Sequence, residues 1–210
     1  MTQKPPRLVW SPGRFHPAVM LPDPCEVFDL TRGYDPERAR ASRWGIGRYD
    51  ERRPGMYTGA LFDEGARDLH VGVDLAAPVG VAVHAFADGV VHRFGVNPAP
   101  GDYGFTVITA HVYEGRALYA LHGHLSARSI EGLVEGRRLS QGEVFAWIGD
   151  RHENGGWNPH LHFQLSWERP ETHDLPGVVR YRDRAEALAR FPDPRGVLGP
   201  IYPDQEVAGA

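Results

Sequence analysis

Between residues 56 and 168, short apolar runs alternate with polar positions and are cut at intervals by glycine turns. The run Val79-Gly80-Val81-Ala82-Val83 leads through Ala87-Asp88-Gly89 into Val90-Val91-His92-Arg93-Phe94. Phe105 to Thr109 and Leu118 to Leu121 flank a turn at Glu114-Gly115, and Val144 to Gly149 follows a turn at Gln141-Gly142. A last strand of mixed character runs from His160 to Trp167. Runs this short and this regularly punctuated predict an all-β, antiparallel sandwich or barrel-like core. Only Asp183 to Arg190 carries a clear helical pattern, closed by Phe191-Pro192.

The first 55 residues lack this periodicity. They are rich in Pro, Arg and turn formers, with one short helix expected at 36–43, where Pro36 suits a first helical position. The expected organisation is therefore an irregular N-terminal arm (1–55) on or beside the core, a main domain (56–200) and a C-terminal tail (201–210). With 210 residues, 41% of them hydrophobic and 24% charged, the chain has the balance of a globular protein. A net charge of −4 supplies no attraction for nucleic acid or an anionic membrane. Cys25 is the one cysteine, so neither an internal disulfide nor a thiolate metal site is available. Prolines and arginines interrupt the first 20 residues where a secretory signal needs an apolar stretch, and no segment has the roughly 20 apolar residues of a membrane span. The expected compartment is the cytoplasm.

Three histidine-bearing segments change the picture from fold to chemistry: His70-Val-Gly-Val-Asp74, Leu121-His122-Gly123-His124-Leu125 and Pro159-His160-Leu161-His162-Phe163. Two imidazoles and a carboxylate suit zinc, and a three-ligand site leaves a position open for water, as hydrolysis requires. On a strand His160 and His162 share a face about 6–7 Å apart, so one can bind metal while the other reaches substrate. A straight strand would hold His70 and Asp74 roughly 13 Å apart. Both can be ligands only if the chain bends between them, and Gly72 is the residue able to allow it. No His-Glu-x-x-His signature supplies a glutamate base. Histidine titrates near neutrality, which makes His124 and His160 the candidates for acid and base. His122 and His152 lie close to these motifs, but a packing or surface role is favoured for both.

In this order the segments resemble the lysostaphin-type zinc metallopeptidases, which hydrolyse peptidoglycan. His70 and Asp74 fit that family's His-x-x-x-Asp, His124-Leu125-Ser126 its middle motif, and Pro159 to Phe163 its Pro-His-Leu-His-Phe. The resemblance spans about 68–168. It implies zinc on His70, Asp74 and His162, with His124 and His160 as the catalytic pair, and a twisted antiparallel β core with a groove over the metal. His122 departs from the family's usual aromatic, Gln164 from its usual glutamate, and the loop Glu153 to Asn158 from its usual length; that loop is expected to border the groove. Gly47 to Glu51, Pro100 to Gly104, Glu153 to Trp157 and Pro192 to Pro194 look like the peptidase segment of bacterial class III aminotransferase fusions. That kinship would make the arm part of the peptidase unit.

The resemblance thus implies a zinc metalloendopeptidase acting on short peptides, with peptidoglycan stem or cross-link peptides as substrate. Two other readings use the same residues. A phosphocarrier of related β architecture would use two facing histidines and have no need of Asp74 or zinc, and a zinc-binding interaction module would hold the metal without turnover. Asp23, Cys25 and Asn97 are candidates for a fourth ligand, with nothing to select among them.

Overall fold

The computed structural model describes residues 6–35, 37 and 44–203. Apart from Glu37, the helix expected at 36–43 lies outside the described residues. The chain forms β1 (Glu26–Val27), β2 (Gly45–Gly47), β3 (Glu51–Arg52), β4 (Arg67–His70), β5 (Val73–Ala76), β6 (Ala82–His84), β7 (Gly89–Asn97), β8 (Gly104–Tyr113) and β9 (Arg116–Leu125). It continues with β10 (Arg138–Leu139), β11 (Val144–Trp147), β12 (His160–Ser166) and β13 (Val178–Arg180). Two short helices follow, α1 (Arg184–Arg190) and α2 (Arg195–Leu198). No helix among the described residues is long and apolar enough to cross a membrane.

The strands lie in an eight-stranded sheet ordered β1-β2-β5-β12-β9-β8-β7-β10, a three-stranded sheet β13-β4-β3 and a pair β11-β6. Apart from parallel β1–β2, the pairings named are antiparallel. The fold class is as the sequence predicts. Glu114 and Gly115, both at positive φ, close the long β8–β9 hairpin. The run at Val79 becomes a strand only from Ala82, because Pro78 and Gly80 form a turn in which the Val81 N–H donates to the Pro78 carbonyl at 3.2 Å. The arm is irregular over most of its length but contributes β1, β2 and β3.

β12 lies in the middle of the large sheet, between β5 and β9. Its period-2 alternation sends Leu161, Phe163 and Leu165 into the core, each fully buried. Phe163 packs edge-on against Phe86. Burying a side chain of that size contributes about 1.5–3 kcal/mol. The other face of the strand carries His160, His162 and Gln164. The apolar half of the motif therefore fixes the register, and the register fixes which residues stand beside the histidines.

Candidate metal centre

His70 is the last residue of β4, in the small sheet, and Asp74 is the second of β5, in the large one. The chain changes sheets through Val71-Gly72, which supplies the bend needed to bring the two together. Gly72 keeps an ordinary negative φ. A Cβ there would lie 2.5 Å from the His162 ring, so glycine is required by close approach and not by backbone freedom. Asp74 and His162 are directly opposite in the β5–β12 register. His70 Nε2 lies 3.1 Å from His162 Nδ1 and 3.3 Å from Asp74 Oδ1, and His162 Nδ1 lies 3.1 Å from the same oxygen.

The outer atoms of these side chains fix their protons. His70 Nδ1 faces the Arg48 carbonyl at 2.8 Å, and a carbonyl only accepts, so Nδ1 carries the hydrogen. The Gln164 amide donates to the Pro176 carbonyl, which turns its Oε1 toward His162 Nε2 at 3.0 Å. His162 therefore donates from Nε2, and Tyr103 Oη lies 3.4 Å from the same nitrogen. Two bare imidazole lone pairs and a carboxylate oxygen thus converge with no hydrogen among them. Such an arrangement repels itself unless a cation joins it, and N,N,O donors with ordered outer partners suit zinc. This is the one group of three such donors found among the described residues. Asp23 and Cys25 lie outside it, and the Asn97 amide is turned to Thr106.

Burial, then Arg53, lowers the pKa of His70 to about 4, which keeps it neutral and able to donate its lone pair. Burial alone would raise the Asp74 carboxyl, but His70 and Arg53 hold it well below the usual carboxylate range.

His124 and His160 stand beside this group with ring centroids 4.2 Å apart. His160 Nε2 is 3.7 Å from Asp74 Oδ1. His124 reaches its place through a bulge: Phe105 faces Leu125 and Val107 faces His122, so two steps of β8 span three of β9. His124 itself has φ +61°, a strained conformation for a residue with a side chain. The bulge separates it from His122, which is fully buried between Phe145 and Phe163, while His152 is exposed. Neither of those two lines the site.

The loop expected to border the groove does so, with Trp157 and Asn158 in its wall, and it also orients the pair. The Asn154 carbonyl accepts from His124 Nδ1 at 2.9 Å and the Asn158 carbonyl from His160 Nδ1 at 2.6 Å. Both rings thus present Nε2 to the site. Burial, then the neighbouring imidazoles, holds His124 well below the ordinary histidine range; burial also lowers His160. A groove of about 620 Å³ flanks His160 and Asp74 on one side, walled by arm residues such as Phe28 and Tyr34. A smaller cavity of about 110 Å³ lies on the other, under Tyr57 and Tyr103. Motif reading did not find Arg53, the carbonyls of Arg48, Asn154 and Asn158, or the positioning by Gln164, because a backbone carbonyl leaves no trace in residue type.

A buried N,N,O donor set flanked by two neutral imidazoles in a groove on a β scaffold defines a metallohydrolase-type centre. The model of peptidase family M23 matches residues 68–174, half of the chain, and the chain belongs to that family. Zinc is the family's cofactor, which makes this chain a zinc metallopeptidase by class. The phosphocarrier reading is left without support.

Among characterised proteins, the DD-carboxypeptidase/endopeptidase Mpg of Neisseria meningitidis serogroup B is 42% identical over 97 residues, 46% of this chain and 20% of that protein. The peptidoglycan DD-endopeptidase ShyC of Vibrio cholerae serotype O1 is 29% identical over 138 residues, 58% of this chain and 29% of that protein. The chain thus spans about a fifth to a third of the length of these relatives. Among solved structures, the catalytic domain of the prophage-encoded M23 protein EnpA from Enterococcus faecalis aligns with 64% of this chain and 88% of its own, at 23% identity and TM-score 0.44. The catalytic domain of lysostaphin from Staphylococcus simulans aligns with 73% and 98%, at 16% identity and TM-score 0.44.

Proposed function

We propose that this chain hydrolyses amide bonds in peptidoglycan stem or cross-link peptides, with His70 Nε2, Asp74 Oδ1 and His162 Nδ1 as zinc ligands and His124 and His160 as the acid–base pair. The observation that carries this reading is the convergence of three donor atoms within 3.1–3.3 Å, with no hydrogen among them, beside two neutral imidazoles. Zinc, when bound, supplies positive charge that polarises the scissile carbonyl and makes water more nucleophilic near neutral pH. The remaining chemistry belongs to the chain. One bare Nε2 of the pair takes a proton from the attacking water. The imidazolium so formed hydrogen-bonds the developing oxyanion and delivers that proton to the leaving amine, which returns both rings to the neutral state. Burial keeps both rings neutral at rest, the state a base requires. The backbone carbonyls on their Nδ1 atoms hold the tautomer and stabilise the imidazolium that forms in turnover.

The substrate class rests on Mpg and ShyC, whose names carry D,D-peptidase activities, and on the groove of about 620 Å³ beside His160 and Asp74. Purified muropeptides digested with and without a chelator, and read by mass spectrometry, test the reading. Cleavage that disappears with the chelator and returns with zinc is expected. Stoichiometric zinc with no cleavage of any muropeptide would instead favour a metal-binding module without turnover.

A further inference from the structure

We propose that Arg53, in the chain upstream of the segment matched by the family, is a positioning residue of the metal centre. It holds Asp74 as a one-oxygen ligand, and Glu51 beside it cancels the charge it brings. The inference rests on the ligand assignment above and adds an outer partner drawn from the arm.

The guanidinium of Arg53 is buried, with 1% of the residue exposed. Its Nη1 donates to Asp74 Oδ2 at 2.6 Å and lies 3.0 Å from Tyr57 Oη. Nε donates to Glu51 Oε2 at 3.0 Å, and Nη2 to the Arg48 carbonyl at 3.3 Å. That carbonyl is the one that accepts from His70 Nδ1, so a single peptide group steadies two of the three ligands. The second oxygen of Glu51 accepts from Arg48 Nε at 2.8 Å, and Arg48 continues to Asp29 at 3.0 Å on the groove wall. An alternating chain of charge therefore runs Asp74, Arg53, Glu51, Arg48, Asp29. Gly47 makes room for it, since a Cβ there would lie 2.7 Å from Arg53 Nη2 and 2.9 Å from Asp74 Oδ2.

Burying this many charges is costly and contributes little to stability by itself, so their placement against one ligand points to the ligand. With Oδ2 taken by Arg53, only Oδ1 faces His70 and His162. A carboxylate released from that bond can rotate and offer both oxygens. A bare cation beside the site would repel zinc. Glu51, in contact with the same guanidinium, makes the pair neutral, so orientation outweighs repulsion and losing the pair weakens binding.

The test uses the full chain, with two variants. Arg53→Met combined with Glu51→Gln removes both charges and leaves no unpaired one at the pair. Arg53→Lys keeps the charge but loses the planar fork that reaches four partners at once. Zinc affinity is measured by competition with a chromophoric chelator, coordination by the visible absorption of the cobalt(II)-substituted protein, and folding by circular dichroism. The double variant is expected to bind zinc about 10–100-fold more weakly. Its cobalt band should lose intensity as the carboxylate becomes bidentate and coordination number rises. Arg53→Lys is expected to lose about tenfold, and Arg52→Gln, next to it but paired with Asp68, should change neither readout. Folded variants with affinity within about twofold of the parent and an unchanged cobalt spectrum would overturn the inference; if the double variant does not fold, Arg53→Lys decides by the same criteria. A parent protein that takes up no stoichiometric zinc would overturn the ligand assignment itself.

Discussion

The two histidine sets of this site are built differently although they share motifs. His70 and His162 sit on strands, and their outer nitrogens are held by the Arg48 carbonyl and the Gln164 side chain, with Arg53 on the carboxylate between them. His124 and His160 are held by the carbonyls of Asn154 and Asn158, both on one loop at the groove wall. The first set is anchored by sheet register and buried side chains, the second by a surface loop and a strained bulge. On the roles proposed above, binding and turnover should therefore be separable by mutation.

The largest effect should come from the first set. Asp74→Asn removes the charge of the ligand triangle, and both metal content by elemental analysis and hydrolysis should fall to background. Residual stoichiometric zinc would remove the distinction between the sets. Next in size, His124→Ala or His160→Ala should lower kcat by about 10²–10⁴-fold while zinc content is unchanged. Loss of zinc in either variant would merge the pair with the ligands.

A pH profile sharpens the same comparison. Burial depresses the pKa of His124 and His160, so the neutral, basic form persists through the ordinary histidine range. The acid limb of kcat/KM is expected below pH 6.5, the unperturbed value; a limb at or above it would mean that neither ring is the base. The smallest effect belongs to His122, which lies outside both sets. Its folded pKa is depressed to about 3 by burial, so its contribution to stability is full above the unfolded value near 6.5 and is lost as pH falls below it. His122→Phe should leave activity intact and change stability at pH 7 by about 1 kcal/mol or less. It should also make the fall of Tm with acid shallower in the metal-free protein. His70 and His111, each depressed to about 4 by burial, retain their share of that fall.

Much of this molecule was legible in the residue pattern because local periodicity and final geometry agree. The strand of the last motif alternates Leu161, Phe163 and Leu165 with His160, His162 and Gln164, so one period places core and site together. The helix expected from Asp183 is found from Arg184, and the bend at Gly72 is where spacing demanded it. The loop 153–158 was legible as a groove border but not as the holder of the His124 and His160 tautomers. The strand expected from Val79 was shortened by a Pro-Gly turn whose geometry outweighed the β-branched residues around it.

The sequence by itself determined the all-β class and the pairing of His160 with His162 on one face, since both follow from side-chain period, while the five polar positions were marked by motifs shared with a known family. The tertiary structure decided which nitrogens carry hydrogens, how a bulge parts His124 from His122, and that Arg53 reaches Asp74. Those outcomes depend on backbone carbonyls and on residues far apart in the chain meeting where the eight-stranded and three-stranded sheets adjoin. Residue type at a single position does not encode such meetings.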